Sequence, residues 1–190
     1  MPDWIFPPPE GFVAEDLDHI PDLPAHTELI DGSLVFVSPQ RHFRHVVIRE
    51  LEHALMQFLP ADHEVVGQMT VKLGARQRPE PDIIVVGPDA PHGPDVACYD
   101  AADVVLAVEA VSKESEVRDR QRKPVLYAEA GIPRFWLVEE INGRPAVYVY
   151  ELDPTTRSYV ATGVHHDRLK LAVPFDLDID LTTLHPSRTR

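Results

Sequence analysis

The first apolar pattern lies at residues 28–37, where Asp31-Gly32 separates two short apolar runs. Both residues of an Asp-Gly pair tolerate positive φ, so the segment predicts a β-hairpin, ended by Ser38-Pro39. The period then changes. From His42 to Leu59 the apolar positions Val47, Leu51, Ala54, Leu55 and Phe58 recur at helical spacing, and Pro60 stops the helix they predict. Loose alternation from Val65 to Leu73 predicts one strand. Ile83–Val86 and Val104–Val108 are unbroken β-branched or aliphatic runs, as in strands buried on both faces. Helical spacing returns between Glu114 and Ala130 through Val117, Val125 and Leu126, with Gly131 and Pro133 as stop signals. Pro124 inside that helix removes one backbone donor, so the helix either kinks there or starts near Arg122. Phe135–Val138 and Ala146–Tyr150 are strands flanking Asn142-Gly143, a second hairpin signal, and Tyr159–Ala161 and Lys170–Val173 add short edge strands. Helix, strands, helix, strands is the order of an α/β or α+β domain built on a mixed sheet.

Composition narrows the class. The chain has 190 residues, of which 44% are hydrophobic and 26% charged, enough for one packed core and too apolar for a disordered tail. No apolar run approaches the roughly 20 residues that span a bilayer. Residues 1–10 lack a basic start and an apolar stretch, so no secretory leader is expected and a soluble, cytoplasmic protein is. Cys98, the single cysteine, can close no internal disulfide. The net charge of -13 speaks against bulk attraction to nucleic acid, yet residues 1–40 alone carry eight acids and no Lys or Arg. The middle of the chain can therefore still present a basic surface. Residues 1–24, with Pro7-Pro8-Pro9 and their acids, are expected to form an extended, loosely held arm; residues 25–185 form one domain, and residues 186–190 a tail. Residues 87–100, with three prolines and two glycines, are expected to form a loop.

Three acids stand at the ends of these apolar strands. Asp82 precedes Ile83–Val86, Glu109 follows Val104–Val108, and Glu28 opens the hairpin. If the two central strands are neighbours, Asp82 and Glu109 meet at the sheet rim. Two converging carboxylates repel unless a proton or cation intervenes. Oxygen donors of this kind suit Mg²⁺ or Mn²⁺, which polarise a phosphoryl oxygen and activate water. Residues 118–123 (RDRQRK) supply nearby cations, and Lys123 and Tyr127 share a helix face at i, i+4.

At these residues the chain resembles a known family. Glu28-Leu-Ile-Asp-Gly, Ser38-Pro39, Pro81-Asp82 with its apolar run, Val108-Glu109-Ala-Val-Ser112, Arg118-Asp119 with Lys123, Tyr127 with Gly131 and Pro133, and the closing residues 174–181 follow the order of the Uma-two family of restriction-endonuclease-like proteins. That family is assigned to the PD-(D/E)xK nuclease superfamily, with a mixed central sheet flanked by helices. The resemblance implies a divalent-metal-dependent endonuclease acting on nucleic acid, DNA first, with Mg²⁺ or Mn²⁺ held by Asp82 and Glu109. Its usual lysine falls two residues after the second acid, where this chain has Val111. The family pattern moves that charge to Lys123 and makes Glu28 an auxiliary acid. A family histidine at the start of the first helix has three competitors here, His42, Arg44 and His45.

Each position also has an ordinary explanation. Asp82 can cap a turn after Pro81, and Asp119 with Lys123 can be an exposed i, i+4 ion pair. Arg118, Arg120 and Arg122 form either a phosphate track or a solvated face. Gln68, inside the Val65–Leu73 strand, either reaches phosphate or bonds backbone in the core. His165 and His166 are adjacent on a strand and point to opposite faces, which makes them surface residues. Trp136, Tyr148 and Tyr150 read as core and sheet face. Two further classes stand beside the enzyme: a nuclease-fold module that binds nucleic acid or protein without cutting, and a structural subunit whose acidic arm docks on a basic partner. Cutting both strands needs two sites, so a homodimer is compatible with the enzyme, though the sequence marks no interface.

Overall fold

The computed structural model describes residues 6–36 and 41–184. Ser38-Pro39, the expected hairpin end, and the expected tail lie outside the described residues. The hairpin is β1 (Thr27–Ile30) and β2 (Ser33–Phe36). Its turn residues Asp31 and Gly32 have φ of 54° and 77°, the mirror-image turn that matches strand twist and favours Gly at the second position. Helix α1 covers His42–Met56 and buries Val47, Ile48, Leu51 and Leu55.

The expected strand from Val65 to Leu73 is two strands: β3 (Glu64–Gly67) and β4 (Thr70–Lys72). Gln68 breaks them with φ of 52°, which redirects the chain. β3 enters the main sheet, while β4 leaves it to pair in parallel with β6 (Cys98–Asp100). The latter is a short strand inside the segment expected to be wholly loop. Between them comes β5 (Ile83–Val86), and after them β7 (Val104–Ala110).

The crossover after β7 departs from one regular helix. Residues 118–122 form a π-turn, closed by the Lys123 N–H donating to the Arg118 carbonyl. Helix α2 follows at Lys123–Glu129, with Pro124 in its first turn. Pro124 cannot donate to Arg120, and the wider turn removes that demand. Then come β8 (Arg134–Ile141) and β9 (Arg144–Asp153), joined at Asn142-Gly143 with φ of 52° and 78°. Strand β10 (Ser158–His165) completes the main sheet, and β11 (Arg168–Leu171) pairs with β12 (Leu177–Asp180) as a separate ribbon.

The six-stranded sheet has the order β10-β9-β8-β7-β5-β3. Its β7–β8 step is parallel and its other four are antiparallel. One face packs on α1 and the β11–β12 ribbon through Ile83, Val85, Leu106, Val108, Trp136 and Leu169. The other packs on α2 and the β4–β6 ribbon through Ile84, Ala107, Tyr127, Ile132 and Phe135. Neighbours in sequence alternate between the two cores, which is why β5 and β7 read as unbroken apolar runs. Tyr148 and Tyr150 pack on the second face, and Trp136 is fully buried in the first.

The leading segment is not loose from residue 11 onward. Its Ala14–Asp18 portion forms a short 3-10 turn, Phe12 and Ala14 are buried, and the Phe12 and Ala14 N–H groups donate to Gly32 and Ala75 carbonyls. Buried Arg78 binds the Ala14 carbonyl and Asp18, and Lys72 pairs with Glu15. The arm's acids thus meet bases of the same chain. No helix among the described residues is long and apolar enough to cross a membrane.

Candidate functional site

β5 and β7 are antiparallel with Ile83 opposite Val108. The start of one strand and the end of the other therefore meet at one sheet edge, and Asp82 lies one register step beyond that pair, beside Glu109. Alternation puts both on the face of the sheet that carries Ile84, Ala107 and Tyr127. The Asp82 Oδ2 accepts the Ala110 N–H at 2.7 Å, which fixes its carboxylate next to the strand end.

A parallel step from β7 to β8 requires a long crossover. Here that crossover returns the π-turn and α2 over the end of β7, bringing Lys123 and Tyr127 onto Glu109. Lys123 Nζ donates to Glu109 Oε1 at 2.9 Å and lies 2.7 Å from Glu28 Oε1. The Tyr127 hydroxyl donates to the same Glu109 oxygen at 2.5 Å. The shared helix face expected for the pair is the one that covers Glu109. Glu28 on β1 also accepts the Glu80 N–H at 3.0 Å, so the hairpin is tied to the loop before β5.

Asp119 is 0% exposed and Lys123 only 4%, so their i, i+4 pair is an interior one, 3.6 Å long, rather than the exposed pair that spacing alone suggests. Among the described residues the buried carboxylates are Glu28, Asp82, Glu109 and Asp119, and all interact at this site. Concentrating buried charge in one place costs folding free energy unless partners compensate. Compensation is incomplete. Glu109 Oε2 and both Asp119 oxygens have no hydrogen-bond partner.

Burial pushes the Glu109 carboxyl well above its ordinary value, with Asp119, Asp82 and Glu28 adding to the shift against Lys123. Burial likewise raises Asp119. Lys123 is opposed by burial, but Glu109, Glu28 and Asp119 outweigh it and hold the ammonium above its ordinary value. The lysine is therefore a fixed cation.

Of the three competitors at the start of α1, Arg44 reaches the acids. Its Nη2 donates to both Asp82 oxygens, at 2.7 and 2.9 Å. His45 lines the same cleft and His42 is exposed outside it. The cleft measures about 550 Å³, and Arg41, Arg118 and Gln68 stand in its wall with Glu28, Asp82 and Asp119, while Glu109 lies behind it. Gln68 gets there through the break between β3 and β4, with its N–H on the Asp82 carbonyl at 3.2 Å. Arg120 and Arg122 do not line the cleft. Arg120 pairs with Glu139 at 3.1 Å, and Arg122 is held by Asp31 of the hairpin turn. Of the basic run, only Arg118 and Lys123 face the acids because the helical turn sends the others outward. His165 binds the Arg168 carbonyl away from the site, and Cys98 is a half-buried free thiol on β6.

Two residues central to this geometry carried little weight in the sequence. Asp119 looked like one half of a surface pair, and only the wider turn before Pro124 buries it. Arg44 was one of three equivalents until α1 fixed which side chain faces Asp82.

Comparison with solved structures finds a crystal structure described as "a putative nuclease belonging to DUF820 from Anabaena variabilis", with a TM-score of 0.71 at 13% identity, covering 91% of this chain and 97% of that one. At that identity the likeness establishes the fold. None of the curated proteins compared matches the chain. The family model Uma2, described as "Putative restriction endonuclease", matches residues 14–183. That span takes in the hairpin, both acid-bearing strands and the crossover, and the chain belongs to the Uma2 family.

Proposed function

We propose that this protein is a divalent-metal-dependent endonuclease that hydrolyses phosphodiester bonds, with DNA the expected substrate and Asp82, Glu109 and Lys123 its central residues. The observation that carries the reading is the pair of buried acids on adjacent antiparallel strands, with Glu109 Oε2 buried and unpartnered behind Asp82, which lines a cleft walled by arginines.

The donor chemistry fits Mg²⁺ or Mn²⁺. Among the described residues no three His, Cys, Asp or Glu side chains are arranged to hold a metal ion. Mg²⁺ commonly takes one or two carboxylates and keeps several waters, so Asp82 and Glu109 suffice. The bound ion would supply Lewis acidity toward the phosphoryl oxygen and lower the pKa of a bound water.

The remaining work falls to the protein's own groups. Glu109 presents Oε2 because Lys123 and Tyr127 hold Oε1. Lys123, fixed by Glu28 and kept charged, balances the acids and lowers their repulsion toward a phosphate. Arg118 and Arg41 at the cleft wall offer cations to the anionic backbone. Their reach suits weak, salt-sensitive binding, since screening sets in over about 8 Å at physiological salt.

Incubating the purified protein with Mn²⁺ and plasmid, linear and single-stranded DNA tests the reading, with Asp82→Asn as control. Cleavage that vanishes in the variant is the expected result; intact DNA in every reaction rejects it. A second reading, a module that binds nucleic acid without cutting, is favoured by Arg44 on both Asp82 oxygens and by Val111 at the usual lysine position. It expects a gel shift that survives both Asp82→Asn and Glu109→Ala, with no cleavage by the native protein.

A further inference from the structure

We infer that Arg44 is a resident counter-ion of Asp82 that a divalent cation must displace, so that this one side chain sets the metal affinity of the site. The inference rests on the metal-dependent reading above and deepens it.

Both Asp82 oxygens are already engaged by a charged donor in this arrangement. Arg44 Nη2 bridges both of its oxygens, and the Ala110 N–H takes a second share of Oδ2. The side chains of Arg44 and Asp82 are 11% and 4% exposed, so the pair is shielded from water and its attraction is weakly screened. A hard cation binding Asp82 has to take an oxygen that the guanidinium now holds. Charge makes the exchange reasonable. The site buries four carboxylates against Arg44 and Lys123, and a divalent ion brings one more positive charge than the arginine it replaces.

Backbone geometry lets Arg44 move without unfolding anything. It sits in the first turn of α1, whose hold on the core comes from Val47, Ile48, Leu51 and Leu55 further along. Rotation about its long side chain suffices to free Asp82. Its Nε is buried and has no hydrogen-bond partner, so the present position does not satisfy the whole guanidinium. Arg118 Nε in the same cleft is likewise unpartnered. A displaced Arg44 would stand with Arg118 facing the cleft, where an anionic phosphodiester supplies the missing acceptors. Arg44 thereby neutralises Asp82 before the metal arrives and pairs with the substrate afterwards.

The test is a Mn²⁺ titration of the full chain without nucleic acid, read by calorimetry or by the loss of free-Mn²⁺ paramagnetic signal. Arg44→Gln should bind Mn²⁺ at least about tenfold more tightly than the native protein, because no charge-assisted bond has to break. Arg44→Lys keeps the charge but not the bridging fork, so it should tighten binding by a smaller factor, and it serves if the glutamine variant folds poorly. Mn²⁺ should raise the melting temperature of either variant more than that of the native protein. At saturating Mn²⁺ both variants should cleave DNA more slowly, having lost the arginine that meets the phosphate. Native-like or weaker Mn²⁺ binding by both variants overturns the inference and leaves the nuclease reading standing. Absence of Mn²⁺ binding in native protein and variants alike removes both.

Discussion

Lys123 and Arg168 are both basic residues paired with acids, and the chain treats them in opposite ways. Lys123 has a side chain 5% exposed and meets Glu28, Glu109 and Asp119, whose side chains are 2%, 0% and 1% exposed. Arg168 on β11 is 68% exposed and meets Asp178, 31% exposed, with Lys170 at 4.0 Å. The Arg168 hydrogen bond holds Asp178 below the ordinary aspartate value, whereas burial drives Glu109 and Asp119 above theirs. An exposed pair on a short ribbon contributes little to stability. A buried cluster with more acids than bases works against folding, and the metal site proposed above would give that cost a use at the edge of β5 and β7.

The largest effect expected from breaking this contrast is on chemistry. Asp82→Asn or Glu109→Gln should lower the cleavage rate in Mn²⁺ by about 10³-fold or more, the loss of several kcal/mol of transition-state stabilisation. The same substitutions should leave the protein folded, as circular dichroism would check. Next comes stability. Lys123→Met strips three buried acids of their shared cation and should cost about 3–5 kcal/mol in urea unfolding. A loss below about 1 kcal/mol would mean that the cluster is wetter than its burial implies.

The pH dependence sharpens the comparison further, with metal-free protein. Glu109 and Asp119 keep their protons to higher pH when folded than when unfolded, so the folded state binds more protons above their ordinary values of 4.5 and 3.8. Stability should therefore fall as pH rises through that range, and Glu109→Gln should flatten the slope. Lys123 has a raised value, so its contribution is complete below its ordinary 10.5 and fades only on the alkaline side. Asp178 has the opposite sign to Glu109: its contribution is present above its ordinary 3.8 and is lost as pH falls. The smallest effect is expected on the ribbon itself, where Asp178→Asn should leave the melting temperature within measurement error at neutral pH.

Much of this fold is written in local pattern. Asp31-Gly32 and Asn142-Gly143 demand positive φ, and the two unbroken apolar runs announce strands buried on both sides. Placing acids at the ends of those runs was enough to pick out Asp82 and Glu109, because antiparallel neighbours bring such ends together. Other features depend on contacts that no window of sequence contains. Gln68 lies in a run that alternates like one strand, yet two different sheets claim its halves. The wide turn at 118–122 follows from Pro124, whose missing donor was legible, but the burial of Asp119 that results was not. Strand β12 was not separately visible, since its partner β11 lies across a turn and its apolar Leu177 and Ile179 are buried by distant parts of the chain. The leading arm looked solvated by its acids, and Lys72 and Arg78, more than fifty residues away, draw it in.

One measurement bears most directly on the claim that Asp82 and Glu109 share a hard cation. A crystal of the protein soaked in Mn²⁺ should give an anomalous peak between these two carboxylates, with Arg44 rotated away from Asp82. Anomalous density elsewhere, or none while Arg44 still bridges Asp82 at millimolar Mn²⁺, would contradict the account.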